Sequence, residues 1–465
     1  MVDEKETSRT GGKELHKVLQ DFIIFHCVAS GKIIASSGEL KAEFVLYQLC
    51  NGDIIIEATT DSRIGVLMEG RSMWSSESIR NFTLEGQSEM GLSFRVETAK
   101  TAIPMSQGGW AKWLFAIPPQ EHLILRHGKS TLDRSQSFVF ALTNVLEKRN
   151  FLLEGDDYSI SFRGDLQSEQ LPVINHMRLP ALTGRLTVKL TSGDEISLES
   201  AEELADDIRY LLSVAEGHLV SNPHFKALDA QGNVVDIHLR EARTGSPVFG
   251  FSLIEGGDTV SFLSCALPAF RAMSSEEKQK FKIKLEYYLS AKEHELREEN
   301  LLNAFVAIEM LVSEKKLSGD RELAEISCIA MEPLKMCIRD LSNQGELTLA
   351  QKVRLENRLD GMFNRPPSLS EMIENALSNQ HKLVFDDLFE GESSKSIRKL
   401  VALRGKILHD GRVKEEERDY AAQASWNLPV LLDRLTLAKL SYRGYFNDWA
   451  NKQRQKKLMA HFIRE

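Results

Sequence analysis

Residues 395–414 read KSIRKLVALRGKILHDGRVK. Ile397, Leu400, Val401, Ile407 and Leu408 recur at helical spacing and supply one apolar face. Asp410-Gly411 marks a helix stop just after His409. Arg404 and His409 stand five positions apart on the segment. On a regular helix that spacing separates them by about 140°. They converge if the helix ends or distorts near Gly405, or if a partner chain completes the pair. The segment is also basic, with Lys395, Arg398, Lys399, Arg404, Lys406, Arg412 and Lys414 set against Asp410.

Working outward, the helical period extends back to about Ser274. Ser275-Glu276-Glu277 reads as a helix start with acids in its first turn. A long helical tract is expected to about Ser313, with Leu301, Phe305, Ile308 and Val312 as its core stripe. Further helices are expected near 320–342, 346–363, 368–378, 393–409 and 414–445. Breaks are expected at Gly319, Gly345, Pro366-Pro367, Gly391 and Asp410-Gly411, and Pro429 is expected to kink or interrupt the last helix.

Before Ser274 the period is mostly two. Asp21–Val28, Phe44–Leu49, Asp53–Glu57 and Lys112–Ala116 are short apolar runs. Leu92, Phe94 and Val96 alternate cleanly, as do Tyr158, Ile160 and Phe162. Leu186, Val188 and Leu190 lead into a Ser192-Gly193-Asp194 turn and a returning Ile196 and Leu198, which reads as a hairpin. A helix should follow, capped by Ser200 and Glu203, with a Leu204, Ile208, Leu211, Leu212, Ala215 stripe and Gly217 as its stop. Strands are expected again at His224–Leu228, Val234–Leu239, Val248–Leu253 and Thr259–Ser264. The expected fold class is α+β multidomain: an antiparallel β-rich, sandwich-like region followed by an all-α helical bundle. The expected divisions are a disordered lead-in over 1–14, a β-rich domain over 15–272 with a candidate split near 180, and a helical domain over 273–465.

Bulk properties bound the function. The chain has 465 residues, a net charge of −9 and 42% hydrophobic residues. Whole-chain charge gives nucleic-acid binding no support, so such a site must be a local basic patch. Five scattered cysteines, with no CxxC pair, read as buried free thiols in a reducing compartment rather than disulfides or a zinc site. No run of about 18 apolar residues marks a membrane span, and a cytoplasmic protein is expected. No P-loop and no strand-linked GxGxxG is present, and no cofactor or metal is expected. His122, His127, His224 and His238 read as structural or surface histidines. Trp74, Trp110 and Trp113 read as core ahead of a carbohydrate- or protein-binding face of the β domain, and Gln107-Gly108-Gly109 as a turn.

Chemically, Arg404 and His409 form a pair suited to metal-free RNA cleavage. Histidine moves protons near neutral pH, and arginine's always-charged fork stabilises charge building on a phosphate. Lys399, Lys406 and Arg412 are candidate phosphate contacts. Against this, an Arg and a His at short spacing arise by chance, and a basic helical run is commonly a solvated face.

LVALRGKILHDG resembles the signature helix of HEPN domains, whose catalytic motif is Arg-x4-6-His. NLLNAFVAIEMLVSEK, Asn300 to Lys315, is similar to the first core helix of that family, down to the acidic Glu309. The layout, including SLESAEELADDIRYLLSVAEG, is similar to ApeA-like anti-phage proteins. The resemblance implies a metal-independent endoribonuclease acting in bacterial anti-phage defence. Arg404 and His409 from two protomers would line one cleft, and Glu309 would orient one of them or serve as a structural hydrogen-bonder. The implied partners are RNA (tRNA or another cellular RNA), a second copy in a homodimer or larger assembly, and a phage protein trigger sensed by the β-rich domain. Gly405 departs from the polar residue that many active members carry after the Arg, and Gly411 stands where a tyrosine-bearing variant has Tyr. One alternative is a catalytically inactive HEPN protein that binds RNA or a partner. Another is a β-sandwich ligand binder whose helical half only dimerises.

Overall fold

The computed structural model describes residues 23–35, 38–49, 53–60, 81–107, 110–117, 123–127, 133–146, 149–164, 181–240, 252–293, 297–312, 319–363, 368–389, 393–450 and 453–464. The lead-in, Trp74, His122, the Gly108-Gly109 turn, the split near 180, the Pro366-Pro367 and Gly391 breaks and most of the Val248–Leu253 strand lie outside them. An antiparallel β region precedes a helical region, giving an α+β layout. Two compact units emerge: residues 1–273 with 444–447, and residues 274–443 with 448–465.

In the first unit, six strands close on themselves. These are β1 (Ile23–Ala35), β2 (Gly38–Leu49), β3 (Ile54–Thr60), β4 (Asn81–Ser88), β5 (Ser93–Gln107) and β6 (Trp110–Ala116). Their order is β5-β4-β1-β2-β3-β6, and β6 pairs back onto β5, so the ring has no free edge. Closure is possible because β5 is long and shifts register between Thr101 and Ile103; it serves β4 with its first half and β6 with its second. Alternation puts Cys27, Ala29 and Ile33 of β1 inside with Phe44, Leu46, Ile56 and Leu84. Leu92, Phe94 and Val96 are buried together, as their alternation predicts. Gly31 is obligatory: a Cβ there would lie 1.9 Å from the Glu85 carbonyl oxygen.

The next strands are β7 (Leu123–Arg126), β8 (Arg134–Ser135), β9 (Ser137–Thr143), β10 (Asn150–Glu154), β11 (Tyr158–Gly164), β12 (Leu182–Leu190), β13 (Ile196–Ser197), β14 (Ser221–Leu228) and β15 (Val234–Leu239). Seven of them form an antiparallel run β10-β11-β12-β9-β14-β15-β7 that joins the ring through Ser93 and Arg126, and β8 pairs with β13 in a separate two-stranded sheet. The β14–β15 hairpin is as expected, with His224 opposite Leu239. The expected β12–β13 hairpin is not. The chain turns after Leu190, but Ile196 and Ser197 pair with β8, and Leu198 already opens a helix.

That helix, α1 (Leu198–Glu216), carries the predicted stripe and the left-handed Gly217 stop at φ 74°. Its cap is Ser197, three residues before Ser200, because the Ser197 hydroxyl accepts from the Ser200 N–H. Thr259–Ser264, expected as a strand, belongs to helix α2 (Thr259–Arg271). Phe262, Leu263, Ala266, Leu267 and Phe270 are its buried face, a helical period that the short apolar run disguised. Arg149 ties these helices together. Its fully buried guanidinium donates to Glu216 Oε1 at 2.6 Å, to the Ile254 carbonyl at 2.6 Å and to the Thr259 hydroxyl.

The second unit holds α3 (Ser275–Glu293), α4 (Arg297–Val312), α5 (Gly319–Asn343), α6 (Leu349–Phe363), α7 (Leu369–Asn375), α8 (Ser393–Asp410) and α9 (Arg418–Lys439). The helical tract expected to about Ser313 is described as α3 and α4, and 294–296 lie outside the described residues. Ser274 caps α3, exchanging hydrogen bonds with Glu277. Leu301, Phe305, Ile308 and Val312 are buried on α4, which packs against α3, α7, α8 and α9. Pro429 does not interrupt α9. Strands also return after the helices, as β16 (Tyr445–Asp448) and β17 (Gln455–Leu458). The cysteines described in full, Cys27, Cys265 and Cys337, are free; Cys265 and Cys337 are exposed rather than buried.

Two buried charge clusters anchor α9. Arg434 reaches both Asp387 oxygens at 2.6 Å and Asp448 Oδ2 at 2.7 Å, and lies over the Phe462 ring. One residue earlier, Asp433 accepts from the Tyr288 hydroxyl and from Lys292 Nζ at 2.6 Å. Burial raises the Asp433 carboxyl above its usual range, with Lys292 opposing.

Candidate active site

α8 runs unbroken from Ser393 to Asp410 and then stops at Gly411, whose φ is 69° and whose N–H bonds the Ile407 carbonyl. Its buried face is Ile397, Leu400, Leu403 and Ile407. Leu408, expected in that face, is 53% exposed, and Leu403 takes its place. Gly405 sits within regular helix, and a Cβ there would meet nothing within 4 Å. The distortion that would have brought Arg404 and His409 together is therefore absent. The two project about 140° apart, displaced by about 7.5 Å along the axis. Arg404 is half-buried and His409 exposed.

Arg404 is nevertheless placed. Its Nε lies 2.5 Å from Glu309 Oε1, where α4 and α8 pack. Glu309 is not in the buried stripe; its side chain is 32% exposed, at the margin of the helix pair. Glu309 Oε1 accepts no aligned hydrogen bond, so the pair is a close Coulombic contact that orients the guanidinium.

The basic residues around them are partly engaged. Lys406 Nζ pairs with Glu417, and Lys414 lies 3.7 Å from Asp410. Lys399 Nζ stands 3.8 Å over the Tyr420 ring. Burial pushes the Tyr420 phenol up to about 12, so it remains a neutral platform. Arg412 and His409 make no hydrogen bond or ion pair among the described residues and are exposed to solvent. Sequence reasoning missed Tyr420 and Glu417, which enter from the start of α9 with no motif to flag them. It also missed Asp433 and Arg434, although a charged pair inside the apolar run Val430–Leu437 was a legible sign of buried ion pairing.

Away from α8, His224 is buried with Nδ1 3.1 Å from Gln48 Oε1, and His238 Nε2 lies 3.4 Å from Asp236. His127 is exposed. Among the described residues no group of three or more His, Cys, Asp or Glu could hold a metal, and no helix is long and apolar enough to cross a membrane. No protein-family model, curated protein or solved structure matches this chain.

Proposed function

We propose that this protein is a metal-independent endoribonuclease whose working site is completed by a second copy of the chain. The observation that carries the reading is the Glu309–Arg404 contact at 2.5 Å beside an exposed, unengaged His409 on the same helix. A glutamate on one helix holds an arginine on the next at the surface, as a phosphate-binding group requires. Because Arg404 and His409 diverge on a regular helix, the partner's α8 supplies the missing half. In the reaction, the ribose 2′-oxygen attacks the adjacent phosphorus and the 5′-oxygen leaves. His409 transfers the proton, Arg404 meets the charge building on the phosphoryl oxygens, and Arg412 and Lys399 hold flanking phosphates. Lys406 is available to RNA only by releasing Glu417. The first unit acts as the sensor of a phage-derived trigger and restrains the nuclease in a bacterial, cytoplasmic setting; that role rests on the resemblance of layout.

The deciding experiment incubates purified protein, with phage virion proteins added as the source of the trigger, with tRNA and total cellular RNA in the presence of EDTA and maps the ends. Cleavage leaving 2′,3′-cyclic phosphate and 5′-hydroxyl termini, lost in Arg404→Ala and His409→Ala, is expected. Cleavage that requires added metal, or that survives both substitutions, overturns the proposal. A second reading, an inactive RNA- or partner-binding protein, is favoured by the neutralised Lys406 and the bare Gly405. RNA retention without cut products from the triggered protein would establish it.

A further inference from the structure

An open cavity of about 1580 Å³ lies in the first unit, where β7 meets the outer face of the ring. Directly opposed residues of antiparallel strands share a face, so the register sets the cavity lining in two rows across the sheet. One row reads Arg126 of β7, Ser93 of β5, Gln87 of β4, Ser30 of β1, Glu43 of β2 and Thr59 of β3, each opposite the next. The neighbouring row reads Arg95, Glu85, Lys32 and Lys41. The second row is largely self-neutralised. Lys32 Nζ lies 2.9 Å from Glu39 and 3.7 Å from Glu85, and Arg95 Nη1 lies 2.5 Å from Glu85. The first row keeps its charges at its two ends. The Glu43 carboxylate is exposed and makes no hydrogen bond or ion pair among the described residues; Lys41, two residues away and off the row, makes none either. At the other end Arg126 is built in. Its Nε donates to Asp236 Oδ2 at 3.1 Å, and His238 Nε2 lies 3.4 Å from the same oxygen. Asp236 is 1% exposed, so a buried carboxylate fixes one edge of the guanidinium while the Arg126 side chain stays 25% exposed along the cavity. Four strand spacings separate Arg126 from Glu43, about 19 Å along the row.

We propose that this row is a docking trough for an extended polypeptide segment, with an acidic side chain at Arg126 and a basic one at Glu43, about six residues apart at about 3.3 Å per residue. Size and charge argue for that occupant. The cavity exceeds the roughly 300–1,000 Å³ of a small-molecule pocket. The one aromatic among the described lining residues, Phe94, is buried, so nucleobases and sugar rings have nothing to stack on. Glu39, Glu43 and Glu85 disfavour a polyanion, and Arg126 and Lys41 disfavour a polycation. A polypeptide supplies both signs, and its backbone amides match the hydroxyls and amide of Ser93, Gln87, Ser30 and Thr59 between the charged ends. The proposal rests on the sensor role of the first unit for what the segment belongs to, the trigger; the binding itself needs neither RNA nor α8.

The intact chain is tested without RNA against immobilised peptide pools, each randomised at five positions between two fixed ends. The ends are Glu and Lys in both orders, Glu and Glu, Lys and Lys, or Ser and Ser. A Glu–Lys pool should retain the wild type about 10-fold better than the Ser–Ser pool, and Arg126→Gln should lose about that factor. Because Arg126→Gln also strips Asp236 of its partner, the exposed Glu43→Lys is the second variant. It should move the preference from the Glu–Lys to the Glu–Glu pools, a reversal that a structural role for Glu43 does not produce. Equal retention by all pools, retention by none, or an unchanged preference in Glu43→Lys would each overturn the proposal. Polyuridylate that displaces the peptides from the wild type and fails to bind Arg126→Gln would give the trough to RNA and overturn it as well. RNA cleavage by the same chains is read separately, so cleavage without peptide retention and retention without cleavage are distinct results.

Discussion

Arg404 Nε sits 2.5 Å from Glu309 Oε1, linking the helix that carries the Arg-x4-His pattern to the central helix of its unit. The contact divides the labour of the proposed site. Glu309 orients, and Arg404 meets the phosphate. Arg404→Ala should therefore lower cleavage by about 100-fold or more, the scale of losing a charge-stabilising donor. Glu309→Gln keeps the shape and should cost less, with the loss in affinity for RNA exceeding the loss in turnover. Single-turnover rates against RNA concentration separate the two. Equal and complete loss in both variants would mean that Glu309 does more than orient.

Gly405 interrupts nothing, and a Cβ there has open space. Glycine inside a regular helix loses more conformational freedom on folding than alanine. Gly405→Ala should raise stability by about 0.5–1 kcal/mol and leave the fold unchanged, measured by urea unfolding. A destabilised variant would show that the surface over Gly405 is covered in the assembled protein.

Arg149 is a different kind of residue, a fully buried cation saturated by Glu216, Ile254 and Thr259. Arg149→Ala strands the Glu216 carboxylate out of water and should cost about 3–5 kcal/mol. Replacing both partners, Arg149→Met with Glu216→Gln, should recover part of that loss. A single substitution that melts like the wild type would contradict the lock.

His224 gives the first unit an acid-side weakness. Burial, reinforced by Lys226 and Arg185, lowers its pKa from 6.5 to about 3. Between those values the unfolded chain binds a proton that the native state refuses, so stability falls as pH drops from 6.5 toward 3. From pH 6.5 to pH 5 the loss from this residue is about 2 kcal/mol. His224→Gln should flatten that part of the pH–stability curve, read by denaturant melts at each pH. An unchanged slope would mean that His224 is protonated in the native state.

The sequence carried the order of the units and the helical character of the second half, because amphipathic period survives in single residues such as Leu301, Phe305 and Ile308. It did not carry the closed six-strand ring, since closure depends on β5 pairing with different strands along its length, a long-range event with only a register shift as its mark. Thr259–Ser264 misled because a short apolar run has the same composition in a buried strand and a buried helix. Ile196 misled because a turn after Leu190 says nothing about which strand the returning chain meets. At the candidate site, the residue types on α8 and Glu309 were readable. The contact between Glu309 and Arg404, the divergence from His409 and the neutralisation of Lys406 by Glu417 belong to tertiary packing.

The central claim, that Arg404 and His409 act from different copies, is tested most directly by complementation. Arg404→Ala and His409→Ala chains are co-expressed with different tags, and the mixed assembly is isolated and assayed on RNA. Each variant alone should be inactive. The isolated mixed assembly keeps one intact composite site of two, with the arginine and the histidine on opposite chains, and should recover on the order of half of wild-type cleavage. A verified mixed assembly with no recovery, beside an active wild type, would contradict the account.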